Sequence, residues 1–275
     1  MVYKQGKIVK PLDFQAHLTQ IAADAAEHAG RELLRMFREG RISVRRKFDY
    51  PGSIVTNADK NAERIILSRL RKSSIRSTVV SEEAGRIDLG SKEVVWAVDP
   101  LDGTMNYAKR IPYFAVSIGC IFEGKPVGGA IYNPILDEMF TATEGGGAHL
   151  NGKRIHVSRE KSLRGASLIF EWWNHEPLIP DPLELEKQLF RFTRRVRSPG
   201  SVALNLCSVA MGRFDGLITV FQRSPIYEIA AGCLIVEEAG GRVTNSAGRN
   251  WDTFSGSVIA ANGRIHRGIL SLINR

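Results

Sequence analysis

The stretch Val98-Asp99-Pro100-Leu101-Asp102-Gly103-Thr104 decides how this chain reads. The apolar run at residues 94–98 predicts a short strand that passes directly into Asp-Pro. Two aspartates three apart then stand where a strand ends, with Pro100 fixing the turn between them. Gly103 lets the backbone come close to a ligand, and Thr104 is placed to open a short helix. The carboxylates suit a hard cation such as Mg²⁺, which prefers oxygen ligands and keeps several waters. The N–H groups of Gly103 and Thr104 suit phosphate oxygens at a helix N-terminus. Read alone, Asp-x-x-Asp-Gly-Thr is also an ordinary turn with capping aspartates.

The neighbouring acids favour the first reading. Ser81-Glu82-Glu83 follows the apolar pair Val79-Val80, so Glu82 also emerges from a strand end. Thr56-Asn57-Ala58-Asp59 adds one more acid at the start of a helix.

Working outward, residues 12–38 predict one amphipathic helix. Phe14, Leu18, Ile21, Ala25, Ala29, Leu33 and Met36 recur at spacings of three and four, and Gly40 ends the pattern. Residues 41–56 read as a strand pair or mobile loop around Pro51-Gly52. A second helix starts near Asn57, with Ala62, Ile65, Ile66 and Leu70 inward. Residues 114–122 and 125–132 predict a hairpin over Glu123-Gly124, 138–143 a further strand, and Asn151-Gly152 a two-residue turn. The Pro-rich, acidic segment 172–190 reads as a loop followed by a short helix. Beyond it the spacing predicts a helix over 201–211, a strand over 217–221, a helix over 228–239 stopped by Gly240-Gly241, and a strand over 258–261. No repeat, low-complexity tract or linker divides residues 1–275. The expectation is one α+β layered domain in two packed halves, roughly 1–150 and 151–275.

Composition narrows the function. With 275 residues, 43% of them hydrophobic, the chain can bury a substantial core. No apolar run approaches the ~20 residues of a spanning helix. The basic N-terminus lacks the apolar region of a secretory signal, so a cytoplasmic protein without a membrane role is expected. Cys120, Cys207 and Cys233 are odd in number and lie in apolar stretches, which fits buried reduced thiols. The net charge of +9 comes from 38 basic against 29 acidic residues, with a pI near 9.6. Its clusters, Arg45-Arg46-Lys47 and Arg194-Arg195 with Arg197, lack interleaved aromatics, and no nucleic-acid-binding motif appears. Nucleic acid is therefore not the expected partner. The six histidines are scattered without ligand spacing.

VTNAD at 55–59, SEE at 81–83, DPLDGTMNY at 99–107 and RIPYFAVSIG at 110–119 together resemble the signature of the inositol monophosphatase family, in order and at the family's spacing. The resemblance continues through GGGAHLNGKRI at 145–155, 196–216 and 229–245, so it spans nearly the whole chain. It implies the αβαβα sandwich of the inositol monophosphatase / fructose-1,6-bisphosphatase type. It also implies a Mg²⁺-dependent phosphomonoesterase, often a homodimer, acting on a small phosphorylated metabolite.

Residue by residue, the resemblance implies that Glu82, Asp99, Asp102 and the carbonyl of Leu101 hold two or three Mg²⁺ ions, for which Mn²⁺ can substitute. Asp59 and Thr104, with Glu82, orient an attacking water, while amides at Gly103 and Thr104 receive phosphate beside Asp102. Such chemistry needs no phosphoenzyme, in keeping with the lack of an activated Ser, Cys or His. Gly200-Ser201-Val202 matches the turn beside the substrate's alcohol half. Ser201 is also a good helix N-cap, and both readings stay open.

The chain departs from the family at two places. The last metal ligand is ordinarily an aspartate, and here YEIAAG at 227–232 supplies Glu228. Its extra methylene moves the carboxylate by about 1.5 Å, so Glu228 is either a stretched ligand or only a charge near its helix start. Inositol-selective members carry a glutamate seven residues earlier. Counting back from Glu228 reaches Phe221, and counting forward from Asp215 reaches Thr219; neither is acidic. Arg223 in the same loop either faces solvent or reaches a second anionic group. Inositol monophosphate, fructose 1,6-bisphosphate and a 3′-phosphonucleotide thus remain candidate substrates. A weakly catalytic regulatory member that binds protein or RNA is the reading from another class.

Overall fold

Alternation of small and large apolar residues at three- and four-residue spacing drives the first long helix. α1 (Pro11–Glu39) follows a two-stranded ribbon of β1 (Val2–Lys4) and β2 (Lys7–Val9). It buries Phe14, Leu18, Ala22, Ala25, Ala29, Leu33 and Met36, the stripe its sequence predicts, displaced only at Ile21 to Ala22. The computed structural model describes residues 2–4, 7–9, 11–47, 53–172, 181–220, 225–251 and 256–274. The strand pair expected in 41–56 is β3 (Val44–Arg46) against β4 (Ile54–Thr56), while the Pro51-Gly52 turn falls outside the described residues. α2 (Asn57–Lys72) begins where expected, because Thr56 caps it and Asp59 returns the bond in a capping box.

Seven strands form the first sheet: β5 (Ser77–Ser81), β6 (Gly85–Asp102), β7 (Ala115–Phe122), β8 (Lys125–Asn133), β9 (Glu138–Thr143), β10 (Gly147–Leu150) and β11 (Lys153–Arg154), in the order β11-β10-β9-β8-β7-β6-β5. The short helix α3 (Thr104–Ala108) leaves the end of β6. The β7–β8 hairpin is the predicted one, and Asn151-Gly152 turns β10 into β11 with both residues at positive φ.

The second sheet has five strands. β12 (Ser167–Trp172), β13 (Arg195–Arg197), β14 (Gly216–Val220), β15 (Gly241–Thr244) and β16 (Ile259–Asn262) run in the order β13-β12-β14-β16-β15. The helices of this half are α4 (Pro182–Phe192), α5 (Val202–Ala210), α6 (Ile226–Glu238) and α7 (His266–Ile273). The sequence reading assigns no element to β12, β13, β15 or α7, although α7 buries His266, Ile269, Leu272 and Ile273 at helical spacing. β12 runs parallel to both neighbours, buried on two faces, and so reads as a continuous apolar run rather than an alternating one.

The layers follow from which faces are apolar. α1 and α2 cover one side of the seven-stranded sheet around Trp96, Ile118 and Val116. α5 and α6 lie between the two sheets, and both are apolar all round, as helices packed on two sides must be. α4 and α7 close the far side of the second sheet. The result is the αβαβα sandwich. α6 comes unusually close to the first sheet because Gly119 and Gly129 offer no side chain: a Cβ at these positions would lie 2.8 Å from Ala230 Cβ and 2.9 Å from Ala231 Cα. That contact fixes the start of α6 near the end of β6.

Candidate active site

Residues three apart in a regular strand face opposite sides. Asp99 and Asp102 escape this through a bulge: Asp99 pairs with Ser117 and Asp102 with Ala115, so three steps on β6 match two on β7. Both carboxylates therefore line one cleft of about 270 Å³, together with Glu82, Leu101, Gly103 and Thr104. Gly103 turns the chain there at φ 92°, and a Cβ on it would lie 2.9 Å from the Tyr113 carbonyl. Glycine is required on both counts.

Each acid is held differently. Glu82 leaves β5 with its amide bonded to the Val98 carbonyl (3.1 Å), next to a turn that Glu63 pins through Ser81 Oγ (2.5 Å) and Ala84 N (2.9 Å). The Glu82 carboxylate accepts a bond from Lys47 Nζ at 2.8 Å, and Glu83 binds the same ammonium. Burial would lower the Lys47 pKa, but these two carboxylates outweigh it and hold it well above the ordinary lysine value.

Asp59 is buried under the cleft. Its Oδ2 closes the capping box with Thr56 N (2.8 Å) and Thr56 Oγ1 (2.5 Å), and its Oδ1 lies 3.1 Å from Thr104 Oγ1. Thr104 Oγ1 is also 3.0 Å from the Leu101 carbonyl, so its one proton has two acceptors. Burial pushes Asp59 up to about 6, against the opposing bonds from Thr56.

Asp102 joins the two halves. It accepts bonds from Ser201 Oγ, Val202 N (3.2 Å) and Ala203 N (2.9 Å), and so sits on the N-terminus of α5. Ser201 caps that helix through Leu204 N (3.4 Å), which leaves its hydroxyl engaged and buried while Gly200 and Val202 line the cleft. Glu228 stands in the first turn of α6 and lines the same cleft; α6 has no side-chain cap at Pro225. Burial first, then Asp102 and Glu82, push the Glu228 carboxyl up to about 8. Asp102 rises to about 6 by burial, partly offset by Ser201, and Asp99 rises well above the carboxylate range by burial with Glu82, Asp102 and Glu228.

Acids that raise one another in this way lack positive charge. Among the described residues no three of them already converge as a finished cage, since Asp102 is drawn to α5 and Glu82 to Lys47. The donor set is nevertheless all oxygen and, apart from Lys47 on Glu82, faces no cation among the described residues, which fits hard divalent ions.

The structure thus brings together Asp59, Glu82, Asp99, Leu101, Asp102, Gly103, Thr104, Gly200 and Glu228, with Ser201 behind Asp102. Arg223 and Phe221 lie outside the described residues. Three residues escaped the sequence reading. Lys47, the last residue of the basic cluster Arg45-Arg46-Lys47, turns to Glu82 and Glu83. Asn106 holds the Pro199 and Gly200 carbonyls (2.8 and 3.3 Å), and Glu171 at the end of β12 lines the cleft. A lone acid in the apolar run SLIFEW was the available signal for Glu171.

The five-layer sandwich and the carboxylates gathered at its sheet end define the inositol monophosphatase / fructose-1,6-bisphosphatase class of fold. Residues 15–275 match the model of the inositol monophosphatase family, and the chain belongs to that family. It is 35% identical over 255 residues to the protein named Nus factor SuhB of Escherichia coli K12, covering 92% of this chain and 94% of that one. It is 38% identical over 264 residues to inositol monophosphatase 2 of Solanum lycopersicum, covering 92% and 97%. The crystal structure of extragenic suppressor protein suhB from Bartonella henselae superposes with a TM-score of 0.87 at 35% identity, covering 94% of this chain and 98% of that one.

Proposed function

We propose that the protein is a Mg²⁺-dependent phosphomonoesterase acting on a small sugar or polyol phosphate. The observation that carries this reading is the β6 bulge, which turns Asp99 and Asp102 into one cleft with Glu82 and Glu228 directly above the Asp59–Thr104 pair. Glu82, Asp99, Asp102, Glu228 and the Leu101 carbonyl would hold two or three ions. When bound, these ions supply charge neutralisation at phosphorus and a lowered pKa for the attacking water.

The chain's own groups do the rest. Thr104, donating its proton to Asp59, leaves its oxygen lone pairs to orient a water. Asp59, within 3.1 Å of Thr104 Oγ1, is the acceptor placed for the proton that the water gives up. The Gly103 and Thr104 amides receive the phosphate, and the Gly200 turn borders the alcohol. Arg223 is proposed to contact a second anionic group. Arg223→Ala would then raise KM for a bisphosphate more than for a monophosphate, and equal effects would remove it from the site. Inositol monophosphate leads as substrate on family membership, ahead of fructose 1,6-bisphosphate and a 3′-phosphonucleotide.

We read the protein as a cytoplasmic homodimer by analogy with its family. Among the described residues no helix is long and apolar enough to cross a membrane. The name Nus factor carried by the Escherichia coli relative favours a second reading, a weakly catalytic member that binds a protein or RNA partner. A phosphate-release screen over sugar, polyol and nucleotide phosphates, with and without Mg²⁺, separates the two. Turnover that requires Mg²⁺ supports the enzyme, and its absence across the panel favours the binder.

A further inference from the structure

The wall of the cleft beyond the carboxylate cluster carries another negative charge with a different setting. Glu171, at the end of β12, is 9% exposed and borders the cleft beside Trp172 and Gly200. Its Oε1 accepts bonds from Gly200 N (2.7 Å) and Asn205 Nδ2 (2.8 Å), and its Oε2 from Ser198 Oγ (2.8 Å). The Asn205 amide is fixed in that direction because Tyr113 OH occupies its oxygen at 2.9 Å. A backbone N–H and an amide NH₂ can only donate, so Oε1 accepts twice; these bonds and that from Ser198 favour the charged form against the burial that raises the Glu171 pKa.

All of these partners are neutral. Among the described residues the Glu171 polar contacts include no cation, so hydrogen bonds hold the charge in place without cancelling it. Gly200 is the shared border between this wall and the phosphate end, since its carbonyl lies 3.4 Å from where a Gly103 Cβ would stand. An alcohol whose phosphate rests at Gly103 and Thr104 therefore extends past Gly200 into the field of Glu171. Glu171 is itself almost fully buried, so its field is screened less than that of a surface charge.

We propose that Glu171 is a specificity-determining residue that sets the charge accepted on the part of the alcohol next to the ester: neutral polyols and amino alcohols are favoured there over alcohols bearing a carboxylate, while a distal anionic group of the kind Arg223 would reach lies beyond it. This inference rests on the phosphatase reading and deepens it. The hydrogen-bond pattern also makes it testable, because Glu171→Gln keeps the geometry. The glutamine oxygen can accept from Gly200 and Asn205, and its amide can donate to Ser198 Oγ, so only the charge is lost.

The test compares kcat/KM with Mg²⁺ for three esters of one size: glycerol 1-phosphate, 3-phosphoglycerate, and serinol phosphate, in which an ammonium replaces a hydroxyl. The wild-type protein should prefer serinol phosphate and glycerol 1-phosphate over 3-phosphoglycerate. Glu171→Gln should raise the ratio of 3-phosphoglycerate to glycerol 1-phosphate by roughly fivefold or more, as expected for removing one poorly screened charge. In a second variant, Glu171→Asp, which keeps the charge, the ratio should stay near that of wild type. If wild type hydrolyses both esters but Glu171→Gln leaves the ratio unchanged, the inference falls and the phosphatase reading stands. If wild type hydrolyses none of the three, the phosphatase reading falls and takes this inference with it.

Discussion

The β6 end of the cleft and the α6 end present acids by opposite means. At β6 the sheet does the positioning: a bulge against β7, the Pro100 turn and the crowded Gly103 leave Asp99 and Asp102 little freedom. Asp102 is fixed again by α5. At α6 the backbone is equally well placed, pressed on the sheet through Gly119 and Gly129, but Glu228 reaches the cleft from a first turn without a side-chain cap. One wall thus fixes its carboxylates through a sheet bulge and a helix N-terminus, and the other presents one on a side chain a methylene longer.

Breaking the rigid wall should have the largest effect. Asp99 repels and is repelled by Glu82, Asp102 and Glu228, and removing its charge weakens every cation shared in the cleft. Asp99→Asn should lower phosphate release by at least about a hundredfold while leaving far-UV circular dichroism unchanged. Activity within about threefold of wild type would remove Asp99 from the site.

The same crowding predicts a pH-dependent stability. Asp59, Asp102 and Glu228 have folded-state pKa values raised to about 6, 6 and 8. Between the unfolded carboxylate values and these, the native state binds more protons than the unfolded state, so stability falls as pH rises. The metal-free protein should melt several degrees lower at pH 8 than at pH 6, and saturating Mg²⁺ should remove most of that difference. A metal-free Tm that rises from pH 6 to pH 8 would show that the acids are not crowded in this way.

Much of this comparison was legible in the sequence. The α1 stripe, the β7–β8 hairpin and the start of α2 near Asn57 declare themselves because their signals are local: a period, a two-residue turn, an acid at the head of an apolar stripe. The acids Asp59, Glu82, Asp99 and Asp102 were visible as strand-end and helix-start residues. What joins them was not. Asp102 meets Ser201 and Val202 across about a hundred residues of chain, and Glu171 meets Gly200 and Asn205 through strands that carry no alternation. Lys47 looked like part of a solvated basic run, because only the β3–β4 pairing shows which way it points.

Lys47 sharpens the comparison at the rim. Its ammonium occupies Glu82 and Glu83, and burial with Glu82 repulsion among the causes pushes Glu83 up to about 7. A divalent ion approaching Glu82 competes with that contact. Lys47→Met, which keeps the apolar stem, should tighten Mg²⁺ or Mn²⁺ binding by about three- to tenfold, read by calorimetry on protein without substrate. Unchanged affinity would mean that Glu82 does not leave Lys47 to bind the ion.

The smallest effect is expected at Glu228. If Glu228 is a stretched ligand, the site should accept Mn²⁺ well, since that ion is larger and less strict about geometry than Mg²⁺. Glu228→Asp returns the carboxylate by about 1.5 Å toward the helix and should change the Mg²⁺ midpoint by a few-fold, tightening it or raising turnover. If Glu228 acts only as a negative charge in the first turn of α6, aspartate serves that purpose equally well and nothing about the metal should change. Titrating activity against Mg²⁺ for both proteins separates these cases. Superimposable curves would place Glu228 in the cleft wall but off the metal, and would leave the rigid β6 end, with Glu82, as the whole of the ligand set.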